Sequence, residues 1–281
     1  MTFPNCALCG VVVWCIQMEP DDPPFFVQST IVFKNEEGAA AYEGWFSDVA
    51  ASRSAVASMF LLTRTADPLV FVQFEIYRSS AAFEQHQSGE GARGMQGFNE
   101  LRDSINFDES SIKVAGRVSE PVRISLASMG GVSHAKIAGH ILLPGRADAD
   151  ENCIVLTTKF RALDDDKAEA FIRTYEKVTP AMKPFASTFF LCKDPSDAVT
   201  FREFMVFRDL TSFEAHYCSR SIIDDLKPSV GATLDMESSD VIAVSNIVSA
   251  KAEEVRRALD GLDASYVERV AGYAFVPADV E

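Results

Sequence analysis

The stretch Tyr77-Arg78-Ser79-Ser80-Ala81-Ala82-Phe83-Glu84-Gln85-His86 returns as Phe207-Arg208-Asp209-Leu210-Thr211-Ser212-Phe213-Glu214-Ala215-His216. Aromatic, Arg, Phe, Glu and His recur in register, each 130 positions after its counterpart, as 208 stands after 78. A period this long exceeds a solenoid unit and marks a duplicated domain. The expected division is residues 1–145 and 146–281, one copy in each half.

Outward from the repeat, each copy spells the same order of elements. In the first, the β-branched and aromatic run Phe26 to Phe33 predicts a strand. Glu36 to Ser52 predicts a helix, since Tyr42, Phe46 and Val49 share one face and the acidic start suits the N-terminal dipole. Met59–Thr65 and Leu69–Tyr77 form a hairpin across Ala66-Asp67-Pro68. A second helix starts at the Ser79/Ser80 cap and meets Gly89, Gly91, Gly94 and Gly97, and Ser111 to Val118 closes the unit.

The second copy repeats the pattern with strands at Ile154–Phe160, Thr188–Cys192, Thr200–Phe207 and Val241–Ser245. Its helices are Asp164–Lys183, which carries Ala168, Phe171, Ile172, Tyr175 and Val178 on one face, and one capped by Asp209 that Pro228 should end. The result is βαββαβ twice, an α+β fold of two ferredoxin-like units. Helices cover one face of each sheet. The two bare faces bury one another, giving a pseudo-dimeric barrel within one chain.

Three segments fall outside these units: an N-terminal run with a strand through Val11, Val12, Val13 and Trp14, the stretch Val122–Pro144, and a tail with a helix at Ala250–Leu259 and a strand at Ala271–Val276. They are expected to extend the sheets or cover their edges.

A formal charge of −15 argues against nucleic acid or an anionic membrane as partner, because both need clustered cations. No run reaches the roughly 20 apolar residues that span a bilayer. Cys6–Met18 has no Lys or Arg before it, so it does not read as a signal peptide. The six cysteines are scattered, which fits a reducing, cytoplasmic setting; the pair Cys6 and Cys9 has no second pair at zinc spacing.

The residues resemble the antibiotic biosynthesis monooxygenase-like domains of the dimeric α/β-barrel superfamily. Arg53, Asp67-Pro68, Glu75-Ile76-Tyr77, Phe83 and His86 follow the family order in the first copy, and Asp194-Pro195, Phe207, Phe213 and His216 follow it in the second. The likeness covers about 95 residues of each copy. It implies cofactor-independent oxygenation of a small aromatic or quinol molecule, with no metal and no haem. Haem-degrading relatives carry a His about ten residues beyond the position of His86, where this chain has Gly94-Met95-Gln96-Gly97 and Asp225-Leu226-Lys227. There is no GxGxxG, GxxxxGK[ST] or GxSxG motif, so nucleotide cofactors and hydrolase chemistry lose support.

The candidate catalytic residues are His86, Glu75 and Tyr77: an imidazole or carboxylate could deprotonate a phenol beside a hydroxyl. Trp45, Phe71, Gln73, Arg78, Glu203, Phe207 and His216 are the candidate substrate contacts. Phe83/His86 and Phe213/His216 also suit a purely structural role, anchoring the second helix of each copy. Phe71, Phe201 and Phe207 are expected to face the barrel interior, where a filled core without an open pocket would argue against an enzyme. The copies diverge where Glu75 faces Met205, the acid of the second copy standing at Glu203, and where Trp45 lacks an aromatic counterpart. A non-catalytic barrel binding a small ligand or protein, an isomerase or lyase, and a homodimer of the whole chain remain open alternatives.

Overall fold

The computed structural model describes residues 21–87, 97–143, 153–245 and 264–274. The expected strand at Val11–Trp14, the Cys6/Cys9 pair and the expected helix at Ala250–Leu259 lie outside the described residues.

The first half runs β1 (Phe25–Val32), α1 (Glu36–Ala50), β2 (Ala57–Arg64), β3 (Val70–Tyr77), α2 (Ser80–Gln87), α3 (97–101), β4 (Ser111–Ala115), α4 (Glu120–Ser128) and β5 (Gly131–Ile141). The second runs β6 (Ile154–Arg161), α5 (Asp165–Met182), β7 (Ala186–Lys193), β8 (Thr200–Phe207), α6 (Leu210–Tyr217), α7 (Lys227–Thr233), β9 (Asp240–Ser245) and β10 (Ala264–Ala274). The local chemistry explains the boundaries. Asp209 caps α6 by accepting from the Ser212 amide at 2.7 Å, and Asp164 caps α5 through the Lys167 amide at 2.8 Å. The Ser79 hydroxyl takes the Ala82 amide in α2, where Asp22 also accepts the Ser80 and Ala81 amides.

Pro228 does not end the second helix of the second half. α6 stops at Tyr217, a π-helical turn spans Ser221–Leu226, and Pro228 stands in the first turn of α7. Proline has no N–H to donate, and the first turn is where that costs nothing.

The strands close into a ten-stranded barrel in the order β1-β3-β2-β10-β9-β6-β8-β7-β5-β4, with β4 returning to β1. The fold is a duplicated ferredoxin-like α+β barrel. β5 and β10 carry the closure. β5 lies parallel to β4 and antiparallel to β7 of the other half, and β10 lies parallel to β9 and antiparallel to β2. β5 and β10, which lie outside the βαββαβ units, therefore do more than cover edges, because they bridge the two sheets and close the barrel. They are also equivalent. Each has a register shift, at Lys136/Ala138 and Arg269/Ala271, followed by a glycine with positive φ, Gly139 at 106° and Gly272 at 94°. A Cβ on Gly139 would lie 2.1 Å from the Phe189 carbonyl oxygen, and on Gly272 2.0 Å from that of Phe60. Both sites demand glycine for conformation and for close approach.

Strand alternation divides the side chains between two environments. Phe26, Val72, Phe74, Ile76, Val155, Phe190, Phe204 and Val206 pack between the sheets. Phe71 packs beneath α1 with Tyr42 and Phe46, while Phe201 and Phe207 join Phe171, Tyr175 and Phe213 beneath α5 and α6. Phe71, Phe201 and Phe207 thus face the helices and not the barrel interior. The apolar stripe of each first helix needs an apolar sheet face to cover, and it takes these rings. The halves match closely: Phe46 stacks on Phe60 at 4.4 Å, and Tyr175 on Phe189 at 4.6 Å.

Candidate active site

The helix-covered face of β3 presents Phe71, Gln73, Glu75 and Tyr77 in succession, all buried. Burying a carboxyl and an amide side by side is costly unless each finds a partner. Here they form a directed chain. The Tyr42 hydroxyl, reaching down from α1, donates to Gln73 Oε1 at 2.6 Å. Gln73 Nε2 then donates to Glu75 Oε1, and the Tyr77 hydroxyl donates to the same carboxyl. Arg53, 4% exposed at the end of the 3-10 turn after α1, supplies a nearby positive charge. From β10, the Tyr273 hydroxyl donates to the Ala57 carbonyl at 3.1 Å, close enough for the Glu75 charge to act on it.

Burial pushes the Glu75 carboxyl up to about 7, and the donors Tyr77 and Gln73 and the Arg53 charge only partly oppose it. Burial also raises Tyr42 and Tyr77 well above the ordinary phenol value, and the Glu75 charge adds to this. Both phenols therefore stay protonated and act as donors.

His86 lies in a cage of Tyr77, Phe60 and Phe83, with ring centroids at 5.5, 6.1 and 6.2 Å, and its Nδ1 has no hydrogen-bond partner. Burial, helped by the Arg53 charge, lowers it to about 3. An imidazole so weakly basic makes a poor proton acceptor, and the burial that weakens it makes the Glu75 carboxyl more basic. Trp45 stands on the outer turn of α1, half-buried against Tyr42 and Phe98 at 5.2 and 5.8 Å, with Gly97 pressed against its indole. Arg78 follows the end of β3, where its charge acts on the Tyr273 hydroxyl.

The other expected contacts belong to a different place. Glu203, Phe207 and His216 lie on the equivalent face of the second half. His216 is enclosed by Phe207, Tyr217 and Phe189 at 5.1, 5.0 and 5.8 Å, and burial lowers it to about 4. Glu203 is pushed up to about 7 by burial, against the opposing Tyr175 and Thr158 hydroxyls beside it. The ten candidates thus separate into two clusters, one in each half. Only the first has the Tyr-Gln-Glu-Tyr chain with a buried arginine, because Phe171, Met205 and Phe207 stand where Tyr42, Glu75 and Tyr77 do.

The sequence reading named Tyr42 and Arg53 without assigning them to the site, and it did not find Tyr273. Tyr42 reads as one more apolar helix position until its hydroxyl is seen over Gln73. Tyr273 arrives from a strand about 200 residues away in the sequence. Among the described residues, no three His, Cys, Asp or Glu side chains gather at metal-binding distance, and no helix is long and apolar enough to cross a membrane.

Solved structures share this fold. A "putative monooxygenase" from Lactobacillus acidophilus aligns with a TM-score of 0.52 at 11% identity, over 78% of this chain and 92% of that one. One from Fusobacterium nucleatum aligns at 0.55 and 11%, over 79% and 91%. No family model matches the sequence, and no curated protein does so either. The likeness to the two solved structures is one of fold alone.

Proposed function

We propose that the chain is a monooxygenase-like protein whose first half acts on a small phenolic or quinol substrate without a cofactor. The observation that carries this reading is the buried Glu75 carboxyl, held by Gln73, Tyr77 and Arg53 and pushed up to about 7 by burial, at a position where the second half has Met205. A base is most effective when its pKa lies near the working pH, and burial supplies that match.

Glu75 accepts the proton of a substrate hydroxyl, and Tyr77 and Arg53 stabilise the resulting negative charge. The electron-rich anion then reduces O₂. One oxygen atom enters the substrate, and the other leaves as water with the two substrate hydrogens. Burial keeps water from the cluster, which favours an anion that reacts over one that is solvated.

The test is oxygen uptake on a panel of hydroquinones and hydroxylated aromatics. Uptake by the parent chain should rise with pH through about 7, and Glu75→Gln should lower it at least about a hundredfold, the scale of general-base catalysis. Uptake by Glu75→Gln equal to the parent's, or no uptake on any member of the panel, overturns the proposal.

A further inference from the structure

A cavity of about 280 Å³ lies on the other side of the sheet from Glu75, between β1 and β4 of the first half and β6, β8 and β9 of the second. Gln28 and Thr157 line it, as do Thr30 and Lys159. Each of these is an equivalent pair, because β1 and β6 occupy the same place in their halves. The cavity therefore straddles the axis relating the halves, and strict symmetry would give it matching walls.

Its walls do not match. Lys113, Lys159 and Arg202 line it, whereas their counterparts by strand register are Ile242, Thr30 and Val72. Three cations at positions that the duplicated scaffold fills with uncharged residues are not needed for the fold. They also gather in a chain with a net charge of −15.

Among the described residues none of the three forms a salt bridge, and the buried Arg202 Nε has no hydrogen-bond partner. Three carboxyls lie near them: Glu203, which also lines the cavity and is pushed up to about 7 by burial, and two carboxylates that act on the cations. Asp240 is on the exposed rim, and Asp194 also accepts from Ser196 and lies 3.5 Å from His134. Burial and the neighbouring Arg202 lower Lys113 to about 8, against the pull of Asp194. Such a set is strained by its own repulsion and is relieved by an anion. Phe204, packed against Phe26 at 4.5 Å and Phe190 at 5.1 Å, adds an apolar wall.

We propose that this cavity binds a small organic carboxylate, with its charge met by Lys113, Lys159 and Arg202 and its apolar body against Phe204. Guanidinium matches a carboxylate through paired N–H donors, and the apolar wall selects an organic acid over an inorganic ion. The volume is at the small end for ligand sites, which limits the body to about one ring. The site is separate from Glu75, so it stands or falls apart from the proposed oxygenation.

The test is titration calorimetry on the whole chain with three probes: benzoate, the neutral isostere benzamide, and inorganic phosphate. Benzoate should saturate one site per chain, with benzamide and phosphate each at least about tenfold weaker. Arg202→Val and Lys159→Thr install the residues that their counterparts carry, which guards the fold, and each should weaken benzoate about tenfold or more. Should Arg202→Val fail to fold, Lys159→Thr carries the test. Glu75→Gln should leave benzoate affinity unchanged. The proposal is overturned if benzoate does not saturate, if benzamide or phosphate binds as tightly as benzoate, if the folded cavity variants bind benzoate as the parent does, or if Glu75→Gln abolishes binding.

Discussion

Replacing Glu75 with glutamine decides whether burial or the Arg53 charge controls this carboxyl. The two effects have opposite signs. Burial disfavours the charged form, whereas a cation favours it. In the structure burial wins and moves the carboxyl from 4.5 to about 7. A displacement of about 2.5 in pKa, at about 1.4 kcal/mol for each unit, is roughly 3 kcal/mol. The folded chain holds a proton on Glu75 that the unfolded chain has lost between these values. The stability this contributes is complete below about pH 4.5 and is lost as pH rises through about 7. Glutamine keeps the shape and the acceptor for Gln73 but does not titrate. In urea unfolding followed by circular dichroism, Glu75→Gln should therefore gain on the parent by roughly 3 kcal/mol between pH 4 and pH 8. Glu203, raised in the same way, contributes equally to both proteins and cancels. A difference that does not change with pH would refute the reasoning. A parent that gains on the variant as pH rises would do so more strongly, because it would mean that Arg53 holds the carboxylate ionised in the fold.

Two further outcomes test other parts of the structure. Gly139→Ala and Gly272→Ala each combine a left-handed backbone with a Cβ about 2 Å from a carbonyl oxygen; each should lower unfolding free energy by at least about 2 kcal/mol, and a loss under about 0.5 in either would show that the bulges are not fixed. His216 is held neutral by burial, with its pKa lowered to about 4, so its contribution is present above about pH 6.5 and lost as pH falls through about 4. His216→Leu should flatten the decline in stability between pH 6 and pH 4, and an unchanged decline would place the titration elsewhere.

The comparison of sequence with structure divides along the range of the interactions involved. Strand and helix identities follow from periods of two and 3.6 residues, and caps such as Asp164 and Asp209 act on amides three positions away, so both are legible from neighbouring residues. The copied aromatic-Arg-Phe-Glu-His pattern likewise established two similar sheet units, and from their bare faces a barrel. Glu75 and Tyr77 share a face by alternation alone.

Tertiary structure decided what those residues meet. Which face of β3 turns to the helices depends on where the apolar stripe of α1 lands, and this moved Phe71, Phe201 and Phe207 out of the barrel interior. The exchange between Glu75 and His86 as the better base depends on burial, which no local pattern records: the same desolvation makes the carboxyl more basic and the imidazole less so. The strand that brings Tyr273 to Ala57, and the meeting of Lys113, Lys159 and Arg202 around one cavity, join residues from opposite halves of the chain. The sequence by itself determined the duplication and the two sheets, because those follow from local periodicity and its repetition. Only the closed barrel brought together the groups of the two proposed sites, because burial and long-range juxtaposition set the charge and basicity of those groups.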